Sequence, residues 1–319
     1  MATSVSSIQS LDFEAHRREL TAFCYRMLGS SFDAEDAVQE TLTRAWKAFD
    51  RFEGRSSVRT WLYRIASNVC FDMLRAANRR ARPVDMGEPG TVDGPLGEPL
   101  ASSMWVEPIP DARALASDDP AEQAVERDSI RLAFIAALQV LPPRQRAALI
   151  LKEVLALSAQ EIAELLDTSV AAVNSALQRA RATLADRGLE DTTVPEHSPD
   201  QELLARYMAA FESYDFDVLT EVVAEDARQS MPPYALWLQG RDDVFGWWTG
   251  PGAACRGSRL VPTRANGLPA FGQYKKAPDG TYFPWALQVV ELEDGKIRDF
   301  TFFLEAERLF PLFGLPLSV

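Results

Sequence analysis

The amino-acid sequence predicts a multidomain protein in which two all-α domains precede an α+β domain. Apolar residues recur at helical spacing over residues 12–82 and 120–187. Between these stretches, residues 83–126 contain seven prolines, four glycines and ten acids, a composition that indicates an extended or disordered linker with no core of its own. In residues 199–319, two Asp-Gly pairs separate runs rich in aromatic and β-branched residues, which is a strong hairpin signal.

These patterns set the expected boundaries of the domains and helices. The domains are 10–82, 127–187 and 199–319, joined by linkers over 83–126 and 188–198. Asp33 is expected to cap a helix that carries acids in its first turn. A second helix is expected from about Val58 to Arg80.

Charge restricts the class of protein. The chain of 319 residues has a net charge of −13, which argues against a protein that simply coats nucleic acid. The average conceals an asymmetry, because residues 55–82 contain seven arginines and one acid. In residues 83–126 the balance reverses, with Arg113 as the one base against ten acids. Contacts with an anionic polymer are therefore expected to be local.

The cysteines and histidines are few and scattered. Cys24, Cys70 and Cys255 form no CxxC pair, and the two histidines are His16 and His197. This pattern predicts no metal site and suits reduced thiols in the cytoplasm. No signal peptide and no run of 18 apolar residues is present, so no membrane partner is expected. No cofactor is predicted either.

One face of the helix over residues 62–80 is apolar and another is polar. The apolar stripe contains Leu62, Ile65, Ala66, Val69, Met73 and Ala77. The polar ridge contains Asn68, Asp72, Arg75 and Arg79, and Arg80 follows directly. Such a ridge can offer an amide to a base edge and guanidinium groups to phosphates, and nearby aromatic residues suit base stacking. The alternative is an ordinary solvated amphipathic helix with aromatic side chains in its core.

A second polar face is predicted in the helical stretch before residue 188. Ser158 and Glu161 form a capping box that begins a short helix, and Ser169 caps a longer one. The outer face of the longer helix carries Ala171, Asn174, Ser175, Gln178 and Arg181. A short helix, a tight turn and a longer helix with a small polar face are typical of a helix-turn-helix. The alternative is a helical hairpin in an all-α domain.

Together the two segments resemble a known family. Residues 25–29, 33–46 and 59–68 resemble region 2 of the sigma-70 family of RNA polymerase, in particular its extracytoplasmic-function group. Leu141-Pro-Pro-Arg-Gln-Arg146, Glu161-Ile-Ala-Glu-Leu-Leu166 and the helix over 169–181 resemble region 4 of that group. Order, separation and motif agree across both segments.

The resemblance implies a sigma factor that binds the β and β′ subunits of core RNA polymerase and directs transcription initiation. The acidic helix with Asp33, Asp36, Gln39 and Glu40 would contact the clamp helices of β′. The loop over 52–57 and the polar ridge would melt and recognise the −10 promoter element, with an unstacked base near Asn68. The second helix of region 4 would recognise the −35 element, and residues 83–126 would pass through the polymerase interior.

The sequence departs from the family pattern at two points. Asn174 and Ala176 stand where relatives usually carry basic residues, which predicts weak binding of −35 DNA because phosphate contacts are lost. The linker over 83–126 is also longer than expected for this group. The sequence does not identify an anti-sigma protein.

Residues 199–319 resemble the SnoaL-like polyketide cyclase family, an α+β cone with a bent sheet around a pocket. The resemblance implies that a small ligand could enter an apolar cavity, for which the sequence offers Tyr234, Trp237, Trp247, Trp248 and Trp285, with Tyr274 and Tyr282. The alternative is that these rings are core. Asp226, Asp299 and Glu305 are the candidate acid-base groups, but none has an evident partner. We therefore expect a non-catalytic domain that regulates the sigma domains in cis.

Two other function classes remain open from the sequence. The first is a helix-turn-helix regulator that works without polymerase, against which the basic helix and the acidic helix argue. The second is a small-molecule isomerase or cyclase, against which the missing histidine and carboxylate pair argue.

Overall fold

The computed structural model describes residues 13–52, 54, 56–75, 79–116, 119–186 and 200–319. The described residues form two compact units. The first lies within Met1–Asn78, Ala112–Ile130 and Ala137–Asp191, and the second within Arg79–Asp111, Arg131–Ala136 and Thr192–Val319. The predicted linker over 188–198 lies outside the described residues.

The first unit is entirely helical in its described part. Its helices are α1 Arg17–Leu28, α2 Ser31–Ala48, α3 Val58–Leu74, α4 Asp111–Ala114, α5 Pro120–Asp128, α6 Leu132–Gln139, α7 Pro143–Leu149, α8 Ala159–Leu165 and α9 Val170–Ala185, of which α4 and α6 begin in residues of the second unit. Arg146, which is 4% exposed, donates hydrogen bonds to the side chain of Gln139 at 2.6 Å and to the backbone carbonyls of Met27 and Leu141. This buried guanidinium joins α1 to the start of α7.

Two helix ends differ from the sequence prediction. Ser30, not Asp33, caps α2, because its hydroxyl accepts the Asp33 backbone N–H at 3.1 Å. The helix α3 ends at Leu74 and does not continue to Arg80. The backbone after residue 79 pairs instead with a later segment: Ala81 donates to the Met104 carbonyl at 2.9 Å and lies beside Trp105 in a parallel bridge.

The predicted helix-turn-helix is confirmed in its local geometry. The Ser158 hydroxyl accepts the Glu161 backbone N–H at 3.2 Å, and the Glu161 carboxylate accepts the Ser158 N–H at 2.7 Å. Ser169 caps α9 by accepting the N–H of Ala172 at 3.2 Å. Val173, Leu177 and Ala180 are buried, so the opposite face of α9 is left to solvent.

The second unit contains an α+β domain around one six-stranded sheet, which confirms the predicted fold class. Its helices are α10 Gln201–Ser213, α11 Phe216–Val222, α12 Arg241–Thr249 and α13 Ala306–Leu309, and its strands are β1 Val223–Ser230, β2 Trp237–Gln239, β3 Arg259–Ala265, β4 Leu268–Lys276, β5 Tyr282–Glu293 and β6 Lys296–Phe303. The strand order is β2-β1-β6-β5-β4-β3. Only β1 and β6 run parallel among the described pairs.

Both Asp-Gly pairs form the predicted hairpin turns. Asp294 and Gly295 join β5 to β6 with φ of +49° and +72°, the left-handed conformation that this pair adopts readily. Asp279 and Gly280 join β4 to β5, and the Asp279 carboxylate accepts the Thr281 N–H at 3.0 Å. Tyr207, Phe211, Trp248 and Phe300 lie at the centre of the core between the helices and the sheet.

The predicted linker over 83–126 is an ordered part of the second unit up to Asp111. As expected, residues 83–110 form no long helix or strand. The expectation that this composition buries no core is wrong, because Trp105, Val106 and Ile109 are at most 2% exposed. Leu96 of the same segment packs against the hydrophobic core of the sheet domain. Helix α5 then begins at Pro120, as predicted.

Candidate functional surfaces and the C-terminal cavity

The predicted polar ridge on α3 is present as far as Arg75. Asn68, Asp72 and Arg75 are all exposed, and they lie opposite the buried Leu62, Ala66 and Val69. Arg75 lies 3.3 Å from the Asp72 carboxylate. The ridge thus presents one amide and one cation to solvent, with an acid between them.

Arg79 and Arg80 do not extend that ridge. Both follow the end of α3 and belong to the second unit. Arg79 is exposed, whereas Arg80 is 8% exposed and donates to the carbonyls of Ser102 at 2.7 Å and Trp105 at 2.9 Å. In this conformation the Arg80 guanidinium organises the linker and does not face solvent.

An ion-pair chain that the sequence analysis missed joins α2 to the ridge. Arg44 bonds to the Glu40 carboxylate at 2.7 Å and to the Asp72 carboxylate at 3.3 Å. The i,i+4 spacing of Glu40 and Arg44 could have indicated the first pair. The second pair joins residues 28 positions apart and leaves no local signal. It places the predicted polymerase-binding and DNA-binding surfaces in direct contact.

The acidic face of α2 is largely open. Asp36, Gln39 and Glu40 are exposed, Asp33 is half-buried in the first turn, and the buried residues of the helix lie on the other side. Among the aromatic residues flanking the ridge, Phe52 and Trp61 pack at 4.9 Å between ring centroids, and Tyr63 is 2% exposed. Tyr63 therefore cannot stack on a base in this conformation.

The outer face of α9 carries the predicted residues. Ala171, Asn174, Gln178 and Arg181 are exposed, and Ser175 is half-buried. Arg181 lies 2.5 Å from the Glu153 carboxylate, so part of its charge is neutralised within the domain. The remaining surface consists of small and amide side chains, which suits hydrogen bonding to base edges more than phosphate binding.

The C-terminal domain contains a partly open cavity of about 50 Å³ between the sheet, α10 and α12. It is lined by Phe211, Tyr214, Gln229, Met231, Trp247, Trp248, Gly252, Cys255, Gln273, Trp285, Phe302 and Leu304. Three of the predicted pocket residues, Trp247, Trp248 and Trp285, are in this set. Tyr234 and Trp237 are not: the Trp237 indole N–H donates to the Gly87 carbonyl at 2.9 Å and so faces the linker, and Tyr234 is half-buried in the loop before β2.

The lining contains no charged group among the described residues. Its amides are engaged: Gln229 accepts the Trp248 indole N–H at 2.6 Å, and Gln273 accepts from Gln288 at 3.0 Å. Burial raises the pKa of the Cys255 thiol. The cavity is therefore apolar and uncharged.

The three candidate acid-base carboxylates lie elsewhere. Asp226 is exposed and pairs with Arg298 at 2.9 Å. Asp299 pairs with Arg228 at 2.9 Å, and burial raises its pKa to about 6. Burial also raises the pKa of Glu305, which is not among the lining residues. Each carboxylate that the sequence offered for catalysis thus lies outside the cavity lining.

The linker is attached to the C-terminal domain by buried polar contacts at several points. Asp111 accepts from Arg264 at 2.8 Å and from the Gly267 N–H at 2.7 Å. Glu107, which is 3% exposed, pairs with Arg308. Backbone bonds continue the attachment: Asn266 donates to Ile109 at 3.0 Å, Gly90 to Trp237 at 2.8 Å and Leu100 to Pro233 at 2.9 Å.

A second polar cluster covers the sheet near the start of the linker. Arg228, Asp299 and Glu291 lie side by side on β1, β6 and β5. Arg131 pairs with Glu291 at 2.8 Å, and Arg82 and Val84 close a small cavity above Asp299 with Leu132 and Ala133. The carboxylate of Asp299 is therefore buried partly by residues from outside the sheet domain.

Comparison with known proteins gives consistent matches. Family models match for Sigma-70 region 2 over residues 13–80, Sigma-70 region 4 over residues 131–184 and a SnoaL-like domain over residues 204–300. The ECF RNA polymerase sigma factor SigG of Mycobacterium tuberculosis is 44% identical over 97% of this chain and 85% of its own length. The crystal structure of the M. tuberculosis extracytoplasmic function sigma factor SigJ aligns with a TM-score of 0.60 and 25% identity, over 96% of this chain and 98% of that one. Among the described residues, no helix has the length and apolarity needed to span a membrane.

Proposed function

This chain belongs to the extracytoplasmic-function sigma factors of RNA polymerase, and we propose that its C-terminal domain controls its sigma domains in cis by holding the segment that connects them. The observation that carries the proposal is that residues 79–111, which join region 2 to region 4, are built into the C-terminal unit. A sigma factor needs this segment to reach from one promoter element to the other. A domain that binds the segment can therefore alter initiation.

The attachment is extensive enough to act as a regulatory contact. The Glu107–Arg308 and Asp111–Arg264 pairs lie within five residues of one another along the segment, and in each a buried carboxylate meets a partly exposed arginine. Removing the arginine from such a pair leaves a buried carboxylate unsatisfied, which costs about 1–3 kcal/mol. The contact is thus stable but within the range that a binding partner such as polymerase could reverse.

The sigma domains offer the surfaces for polymerase and promoter. The exposed Asp36, Gln39 and Glu40 on α2 are proposed to contact the β′ clamp helices, and the half-buried Asp33 completes this acidic turn. The ridge of Asn68, Asp72 and Arg75 is proposed to open and recognise the −10 element, and α9 the −35 element. The protein is then proposed to act in the cytoplasm, where RNA polymerase is found.

The C-terminal domain is proposed to be a non-catalytic module. The cavity lining offers aromatic rings, amides, a thioether and a thiol, whereas acid-base catalysis on a bound molecule needs a titratable group directed at it. Neither a stand-alone repressor nor a cyclase accounts for two sigma regions and a docked connecting segment.

Asp111→Ala tests regulation in cis. It removes the acceptor for Arg264 and for the Gly267 N–H, and we expect faster proteolysis of residues 83–110 and a changed run-off yield with core polymerase. Asp226→Ala is the matched control, because it removes an exposed acid from the same domain and should change neither. Faster proteolysis with unchanged transcription would refute cis regulation, and failure of the full chain to co-purify with core polymerase would refute sigma activity.

Arg75→Ala and Asn68→Ala should reduce promoter opening more than they reduce polymerase binding. Both side chains are exposed on α3 and contribute nothing to its buried face. A good base contact contributes about 1–3 kcal/mol. Permanganate reactivity of the −10 region measures opening, and Arg18→Ala, which removes an exposed cation from α1, serves as the control. Unchanged reactivity in both ridge variants would exclude the ridge.

Gln178→Ala or Asn174→Ala should shift the −35 preference by about 1 kcal/mol, at the low end for a base contact. The outer face of α9 has few strong hydrogen-bonding groups, and its Arg181 is paired with Glu153. Selection from randomised −35 sequences measures the shift. Gln160→Ala, which alters an exposed amide on α8, is the control. If the variants select the same sites as the unmodified protein, these side chains do not contact bases.

A further inference from the structure

The interior of the C-terminal cavity selects an apolar occupant. Six of its lining residues are aromatic, and the side chains of Gln229 and Gln273 already bond to neighbours within the protein. A charge placed deep in this space would have no partner, and burying such a charge is costly. The part of any ligand that enters the cavity must therefore be uncharged and largely hydrocarbon.

A cation lies at the edge of the cavity, in a domain that is acidic. Residues 189–319 contain twenty acids and eleven bases. The Lys275 ammonium lies 4.2 Å from the centroid of the Trp285 ring, which lines the cavity. The same ammonium opposes the effect of burial on the pKa of Cys255, which also lines the cavity. Arg256 is exposed and follows Cys255 directly.

The size of the cavity limits the apolar part of the ligand. A volume of about 50 Å³ is about a third of that of a cavity that takes benzene, so the inner end of a short alkyl chain fills it and the rest of the chain lies towards its opening. A multi-ring molecule would not fit without rearrangement of Trp247 or Trp248. The cavity therefore suits a tail of a few carbons.

We propose that this cavity binds a small amphipathic carboxylate, with its short apolar tail between Trp247, Trp248 and Trp285 and its carboxylate at Lys275. Binding itself does not depend on the function proposed above. Only its consequence, altered initiation, rests on the control of the sigma domains by this domain.

The probes are hexanoate, hexan-1-ol and hexylammonium, which share a tail and differ in charge. The full chain is labelled with 5-fluorotryptophan, and the cavity signals among its seven tryptophans are assigned by tryptophan-to-phenylalanine replacement and followed by fluorine NMR. We expect hexanoate to shift the Trp247, Trp248 and Trp285 signals at the lowest concentration, then hexan-1-ol, then hexylammonium. The signal of Trp46, which is 68% exposed in the first unit, should not move.

Lys275→Met tests the carboxylate contact, because methionine keeps an apolar stem over Trp285 and removes the charge. It should weaken hexanoate binding about fivefold, the upper effect of a partly exposed ion pair, and leave hexan-1-ol unchanged. Lys276→Met is the matched control, since the neighbouring lysine is exposed and points to the other side of β4. Cys255→Met, which extends a flexible thioether into the cavity, should weaken all three probes.

Three results would each overturn the proposal: equal affinity for the three probes, an equal effect of Lys275→Met and Lys276→Met, or no shift at 10 mM hexanoate. That concentration is about the millimolar affinity expected for so small a ligand. Run-off transcription with core polymerase, with and without hexanoate, distinguishes the existence of the binding site from its regulatory consequence. If hexanoate binds with the expected selectivity and run-off yield does not change, the site stands and the regulatory consequence fails.

Discussion

Replacing Trp105 by alanine should loosen the fold of the connecting segment. Trp105 is 2% exposed, and its carbonyl accepts a hydrogen bond from Arg80 of the same segment. The neighbouring Met104 and Val106 bond to the backbone of Ala81. Truncating a buried tryptophan to alanine costs about 3–5 kcal/mol, because transfer free energy is lost and a cavity remains. Few other apolar residues in this proline-rich segment can compensate. The loss is thus expected to open residues 79–111 locally without unfolding the sheet, whose core cluster does not include Trp105.

Hydrogen exchange on the full chain measures this effect. The backbone amides of Ala81, Val106 and Leu100 are bonded in the docked segment, and their exchange should accelerate by at least about a hundredfold, as 3 kcal/mol implies. Trp46→Ala is the control, because that ring is 68% exposed in the first unit. Unchanged protection in Trp105→Ala would show that the segment is held by its polar contacts alone. Run-off transcription with the same variant then reports what loosening of the segment does to initiation.

Most of the fold could be predicted from local sequence patterns. The Ser158–Glu161 capping box and the Asp294-Gly295 turn each specify a backbone conformation within four residues, so their geometry follows from neighbouring side chains. The outer face of α9 could also be predicted, because helical periodicity alone places Val173 and Leu177 on the buried face and Asn174 and Gln178 on the exposed face.

The features that the sequence did not predict depend on contacts between residues far apart in the chain. The apolar stripe continues through Ala77, so periodicity predicts a helix to Arg80, but the Arg80 guanidinium binds carbonyls more than twenty residues later. The linker composition likewise argues for disorder, because local patterns cannot show that Asp111 meets Arg264 across 153 positions. For the pocket, sequence supplied the tryptophans but not their directions: Trp237 turns to the linker at Gly87, whereas Trp247 turns to the cavity.

The stability of the docked state should fall as pH rises through about 6, and Asp299 should be the cause. Its side chain is 13% exposed, and burial raises its pKa from 3.8 to about 6, against the opposing effects of Arg228 and Arg82 and with the reinforcing effect of Glu291. Arg82 and Val84 of the linker, with Leu132 and Ala133, cover it. When the covering residues leave, water reaches the carboxylate and its pKa returns towards 3.8. The covered state therefore binds a proton more tightly than the opened state.

The direction of the pH effect follows from this difference in proton binding. The stabilising contribution is fully present below about pH 4 and is lost as pH rises through about 6. It amounts to at most about 3 kcal/mol, the value for the whole shift of about two pKa units, because the departure of Arg82 also removes a charge that lowers this pKa. Between pH 5 and pH 7, opening should become more frequent by up to about tenfold. Hydrogen exchange of the Arg82 and Asp85 amides measures the frequency of opening, since both amides are bonded in the covered state. The rates are corrected for the intrinsic pH dependence of exchange.

Asp299→Asn keeps an oxygen for Arg228 but cannot titrate, so it should abolish the pH dependence of opening. Asp226→Asn alters an exposed carboxylate of the same domain and should retain that dependence. The same tenfold change in both variants would assign the pH effect to a group other than Asp299.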